Sequence, residues 1–146
     1  MSAGKTVIVA VDNSEQSKEA FEWYVSYLRK NDDKVIMAYC MEVPRTFTAA
    51  PLRGMVVEGL LEQAKGDAHK LEVKYRTLMK EHNIQGSFTS QYGYAGSFIV
   101  DKAKKEGANV IIMGTRGMGT VRRTVLGSVS DYVIHHAHCP VLVYRK

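Results

Sequence analysis

Thr6–Ser17, TVIVAVDNSEQS, is the stretch on which the fold turns. Its first half, Thr6–Val11, is a continuous apolar and β-branched run rather than an alternating one, the pattern of a strand covered on both faces and so of a parallel sheet. Its second half, Asp12–Ser17, is polar, and both Asp12 with Glu15 and Asn13 with Gln16 have the spacing at which a side chain caps a helix start. The helix that follows has Ala20, Phe21, Tyr24, Val25 and Leu28 at three- and four-residue steps. One face is therefore buried against the sheet while Lys18, Glu22 and Arg29 meet water, and Asn31–Lys34 are expected to end it.

The same alternation runs outward from this unit. Val35–Cys40 (VIMAYC) is a second buried strand, and the next fifteen residues, with Pro44, Pro51 and Gly54, read as a long surface loop. From Val57 a helical period runs through Leu60, Leu61, Ala64, Ala68, Leu71, Tyr75, Leu78 and Met79 to about His82, interrupted by Gly59 and Gly66. Ser87–Tyr92 is a weaker, more exposed strand. Gly93 and Gly96 lead into a helix around Phe98, Ile99 and Ala103, which Gly107 closes. Val110–Met113, a Gly- and Arg-rich loop from Gly114 to Gly127, a short helix from Ser128 to about His136 and a strand Val141–Tyr144 complete the chain. Strict β-α alternation predicts a three-layer, doubly wound α/β fold with right-handed crossovers. Ligands of such sheets sit beyond the carboxyl ends of the strands, where the strand order reverses, which directs attention to Asp12–Ser14, Cys40 and Gly114 onward.

Composition bounds the rest. A length of 146 residues, with 45% hydrophobic and 24% charged residues, suits one globular domain spanning 1–146. No run reaches the ~18 apolar residues of a membrane span, so a soluble, intracellular and cytoplasmic protein without a membrane partner is expected. The net charge of +5 suits an anionic ligand without implying nucleic acid. Cys40 and Cys139 each adjoin a strand and are expected to be reduced.

The loop after the fourth strand reads GTRGMGTVRRTVLGSVSD from Gly114 to Asp131. Gly114, Gly117 and Gly119 permit main-chain amides to turn inward around an anion. Ser128 with Asp131 three residues on has capping-box spacing, and the amides of Ser128, Val129 and Ser130 at a helix N-terminus form a seat for phosphate. Arg116, Arg122 and Arg123 add permanent cations. The plain alternative is a tight connection with a capping serine and solvated arginines. Two known phosphate motifs fail: Thr120 stands where a P-loop requires lysine, and the turn after the first strand has no glycine for a dinucleotide fingerprint.

The pattern Gly114-x-x-Gly117, nine residues, Gly127-Ser128, with VIVAVDNSE at the start and HCPVLVY at the end, resembles the universal stress protein family over essentially the whole chain. The resemblance implies a five-stranded sheet of order 3-2-1-4-5 and the ATP-binding branch, with Mg²⁺ accompanying the nucleotide. It places Asp12 near ribose and adenine, main-chain groups at Cys40 on the adenine edge, and Met113–Gly117 with Gly127–Ser130 around ribose and phosphates. The site it implies comprises Val11, Asp12, Asn13, Ser14, Cys40, Met113, Gly114, Arg116, Gly117, Gly127, Ser128, Val129 and Ser130. Two departures stand out: Cys40 occupies a usually aliphatic position, and Asn13 replaces the common glycine. The family resemblance also implies a homodimer through the last strand, here Pro140–Arg145.

Other clusters have simpler readings. His135, His136, His138 and Cys139 crowd together, but only His135 and His138 share a helix face and Cys139 enters a strand, so no metal site is expected. No histidine is placed to activate Ser14, and Lys102, Lys104 and Lys105 read as a solvated face. The leading expectation is an ATP-holding regulatory protein with little or no hydrolysis, because the loop lacks both a lysine after its glycines and an evident water-positioning group. The alternatives are a slow ATPase or self-phosphorylating enzyme with Ser128, Ser130 or Thr124 as acceptors, and a dimer with an empty pocket.

Overall fold

A computed structural model describes residues 4–42, 55–115 and 127–145, apart from the side chains of residue 42 and of residues 55–57. Among the described residues the elements are β1 (Thr6–Ala10), α1 (Glu15–Tyr27), β2 (Lys34–Glu42), α2 (Met55–Glu81), β3 (Ser87–Gly93), α3 (Ala95–Glu106), β4 (Val110–Gly114), α4 (Ser128–His136) and β5 (Val141–Tyr144). The five strands form one sheet in the order β3-β2-β1-β4-β5, and every pair is parallel.

Burial on both faces explains the unalternating first run. Val7, Val9, Val35, Met37 and Ile112 pack on one side against Phe21 and Tyr24 of α1 and Leu71, Tyr75 and Met79 of α2. Ile8, Ile36 and Ile111 pack on the other against Phe98, Ile99 and Ala103 of α3 and Val133 of α4. Each fully buried Val, Leu, Ile, Phe or Met among them contributes about 1.5–3 kcal/mol of transfer free energy. β3 is more exposed, as its weaker pattern predicts.

Several boundaries differ from expectation. α1 is capped by Ser14, whose hydroxyl accepts from the Ser17 amide, and not by Asp12 or Asn13. It ends at Tyr27, before Asn31–Lys34, because the Leu28 and Arg29 amides both donate to the Tyr24 carbonyl, at 2.9 Å each. α2 starts at Met55, and the expected loop with Pro44, Pro51 and Gly54 lies outside the described residues. Gly107 closes α3 at φ 63°, as its position predicts. Gly96, in contrast, is buried inside α3, where a Cβ would lie 2.7 Å from the Tyr132 ring of α4.

The amino ends of β1 and β2 are held by Asp33, whose side chain is fully buried. Its carboxylate accepts from Lys5 Nζ at 2.8 Å, Tyr24 Oη at 2.6 Å and the Lys30 amide at 3.0 Å. Burial alone would raise the Asp33 pKa, but the Lys5 and Tyr24 hydrogen bonds outweigh it and hold the carboxyl below its ordinary value. Burial, reinforced by Asp33, pushes the Tyr24 phenol far up.

Candidate functional site

A cavity of about 310 Å³ lies beyond the carboxyl ends of β1, β2 and β4. The sheet order reverses between β1 and β4, so the cavity occupies the switch point of the fold. Side-chain size makes the room. On the face covered by α3 and α4, β1 passes from Ile8 to Ala10 and β2 from Ile36 to Ala38, and the two alanines are register partners. Bulk therefore stops where the cavity starts. Ala95 and Ile99 of α3 and Met113 of β4 add to the apolar lining, with Cys40 near the end of β2 only 8% exposed.

The turn after β1 supplies a polar wall. The Asp12 carboxylate accepts from the Ser14 amide at 2.8 Å and from the Ser14 hydroxyl at 2.5 Å. The Asp12 amide donates to the Ser17 hydroxyl at 3.1 Å, and that hydroxyl pairs with Tyr75 Oη at 2.9 Å. Gly114 lets the start of α1 approach β4, since a Cβ there would lie 2.6 Å from the main-chain oxygen of Gln16. The glycine thus serves the contact between β4 and α1.

The start of α4 also lines the cavity. Gly127 is its N-cap, with extended φ −64° and ψ 158° and no side-chain cap. The expected Ser128–Asp131 capping box is displaced, because Gly127 rather than Ser128 takes the non-helical cap conformation. Asp131 then falls one position too late, its amide donates to the Gly127 carbonyl at 2.9 Å, and its carboxylate pairs with His135 at 3.4 Å. Ser130 is buried and donates its hydroxyl to the Gly127 carbonyl at 3.0 Å, while Ser128 is exposed. The first amides of a helix have no acceptor within it and carry the positive end of the dipole, so this wall suits an anion.

The structure brings together Val11, Asp12, Ser14, Cys40, Met113, Gly114, Gly127, Ser128, Val129 and Ser130 around the cavity. Asn13 is not among the lining residues. Arg116 and Gly117 lie outside the described residues, as do Gly119, Thr120, Arg122, Arg123 and Thr124. Ala10, Ser17, Ala38, Ala95 and Ile99 line the cavity without having been singled out from the sequence. The alanines have a detectable signal, a drop in side-chain size at the end of two buried runs.

The remaining clusters are engaged locally. His136 stacks on Tyr132 at 4.0 Å and places Nδ1 2.8 Å from the Tyr132 carbonyl. Among the described residues, no group of three or more His, Cys, Asp or Glu residues is arranged to hold a metal ion. Cys40 and Cys139 are not joined in a disulfide, and burial pushes the Cys139 thiol up. Lys102 pairs with Glu106 at 3.3 Å. No helix among the described residues is long and apolar enough to cross a membrane.

A family model described as "Universal stress protein family" matches residues 4–145. The chain is 30% identical over 146 residues to Universal stress protein MJ0531 of Methanocaldococcus jannaschii, covering 97% of this chain and 82% of that protein. Among solved structures it is similar in fold to universal stress protein UspA from Lactobacillus plantarum, with TM-score 0.79, 22% identity and coverage of 99% of this chain and 100% of that one. A universal stress protein in complex with cAMP is similar in fold at TM-score 0.72 and 20% identity, with 99% of each chain covered.

Proposed function

This chain belongs to the universal stress protein family, and from that premise we propose that it binds ATP in the β1/β4 cavity as a nucleotide-dependent regulatory protein that hydrolyses it slowly or not at all. The observation that carries the reading is the mixed lining of the cavity, which joins apolar residues Ala10, Ala38 and Ile99 to a helix N-terminus, Gly127–Ser130. A base suits the first and phosphate the second. Occupation of a related fold by cAMP supports a nucleotide as the ligand class.

The donor set also fits Mg²⁺ held between phosphate and protein, because Asp12 supplies a carboxylate in the wall, and such ions typically take one or two carboxylates plus phosphate oxygens. When bound, Mg²⁺ would neutralise charge between the phosphates. The chain's own residues orient: the turn through Asp12 and Ser14 holds one wall while the α4 amides hold the other. We further read the protein as a single cytoplasmic domain that dimerises through β5. That strand is at the sheet edge, and its residues Val141, Leu142, Val143 and Tyr144 are all half-buried in this chain alone.

A second reading, self-phosphorylation, has one specific support. Ser128 lines the cavity, is exposed and does not serve as the helix cap, whereas the Ser130 hydroxyl is held by the Gly127 carbonyl. Ser128 is therefore the better acceptor of a γ-phosphoryl group.

The test is to denature the purified protein, identify released nucleotide by chromatography, and measure melting with added ATP and phosphate release. Retained ATP and a raised Tm without turnover support the regulatory reading; at a hundredfold excess over Kd the stabilisation is about 2.7 kcal/mol. Gly127→Val, which adds a branched side chain beside the phosphate wall, is expected to abolish both. Absence of nucleotide together with an unmoved Tm would refute binding, and phosphorylation lost in Ser128→Ala would favour the second reading.

A further inference from the structure

We propose that Tyr75, on α2 and outside the cavity, is a positioning residue for the nucleotide site, acting through the Ser17 hydroxyl on the main chain of Asp12. The inference rests on the nucleotide-binding reading above. Tyr75 is fully buried in the layer of α1 and α2, its ring edge-on to Phe21 at 6.1 Å, on the sheet face opposite the alanine floor. Its hydroxyl nevertheless reaches Ser17 at 2.9 Å, and Ser17, itself 3% exposed, accepts the Asp12 amide at 3.1 Å. Ser17 also donates its own amide to Ser14 Oγ at 3.2 Å, and Ser14 donates to the Asp12 carboxylate. Both the amide and the carboxylate of Asp12 are thus fixed by two serines, and one of those serines is fixed from α2.

The need for such a tether follows from the chemistry of serine in a first helical turn. Its hydroxyl can rotate to donate back to a carbonyl three or four residues earlier, which would withdraw it from the Asp12 amide. A buried tyrosine hydroxyl with ideal spacing holds the rotor in place. Burial pushes the Tyr75 phenol up to about 12, so it stays protonated and neutral throughout the physiological range.

The experiment compares ATP affinity by calorimetry in the wild type, Tyr75→Phe, Ser17→Ala and the double variant, together with amide hydrogen exchange and chemical shift at Asp12 by NMR without nucleotide. Tyr75→Phe keeps the ring and its packing. It is expected to weaken ATP binding about 3- to 10-fold and to speed exchange at Asp12, while adding nothing further in the Ser17→Ala background. A Tyr75→Phe protein with lowered Tm but wild-type affinity and an unmoved Asp12 amide would make Tyr75 a core residue only and overturn the proposal. If the wild type binds no ATP the functional reading fails, and the Asp12 amide still decides whether the tether exists.

Discussion

At the amino ends of the strands a buried carboxylate, Asp33, is enclosed by Lys5, Tyr24 and the Lys30 amide, whereas at the carboxyl ends Asp12 borders a cavity of about 310 Å³. Both aspartates end hydrogen-bond networks that tie a strand to α1. The first closes on itself; the second borders an opening that a helix N-terminus also lines. On the proposed function, one sheet would hold its buried ionic cluster and its binding site at opposite edges, and substitutions at each edge should have different signatures.

The largest effect is expected at the closed edge. Asp33→Ala leaves the Lys5 ammonium, the Tyr24 hydroxyl and the Lys30 amide without their shared acceptor, and should cost about 3 kcal/mol in urea denaturation while leaving ATP affinity unchanged. Loss of nucleotide in that variant would break the separation. The same residue shapes the acid limb. Because its folded pKa is depressed, its contribution is complete above the ordinary carboxylate value of about 3.9 and disappears as pH falls through the lower folded value. Asp33→Asn should flatten stability against pH in that window.

Next comes Gly114→Ala at the open edge. The added Cβ meets the Gln16 main-chain oxygen at 2.6 Å, which cannot rotate away. A cost of about 2 kcal/mol is expected, accompanied by weaker ATP binding because Gln16 lies between two cavity serines. A stability loss with intact affinity would show that the turn tolerates displacement. The smallest effects compare two serines. Ser14→Ala removes a true cap and should cost about 1 kcal/mol, while Ser128→Ala, beside a glycine cap, should change stability by less than about 0.5 kcal/mol. Equal losses in thermal melts would restore the capping role that Ser128 has from spacing alone.

Those serines also show where sequence reasoning reaches its limit. Buried runs such as Val7–Val11 and Val110–Met113 are legible because two covered faces require continuous apolar residues, and the alternation of elements then directs attention to the carboxyl edge. Caps are less legible. Asp12, Asn13 and Ser14 are all good caps, and only backbone angles select Ser14; likewise Gly127 takes the place that Ser128 and Asp131 suggest for themselves. Asp33 reads as a helix terminator, since nothing local reveals that Lys5, twenty-eight residues earlier, will neutralise it in the interior. The cavity floor depends on Ala10 lying opposite Ala38, a register that no single strand contains. Within the candidate site, Asn13 follows the pattern of its neighbours in sequence but not in space.

The close seat of Gly96 beneath Tyr132 has a mechanical consequence. With no side chain to act as a spacer, α3 and α4 pack in direct contact, and this pair carries both Ile99 and the Ser128–Ser130 segment of the cavity lining. Re-shaping one helix to enlarge the cavity would shift the other, so selectivity for the proposed nucleotide would be set by both together rather than tuned in each.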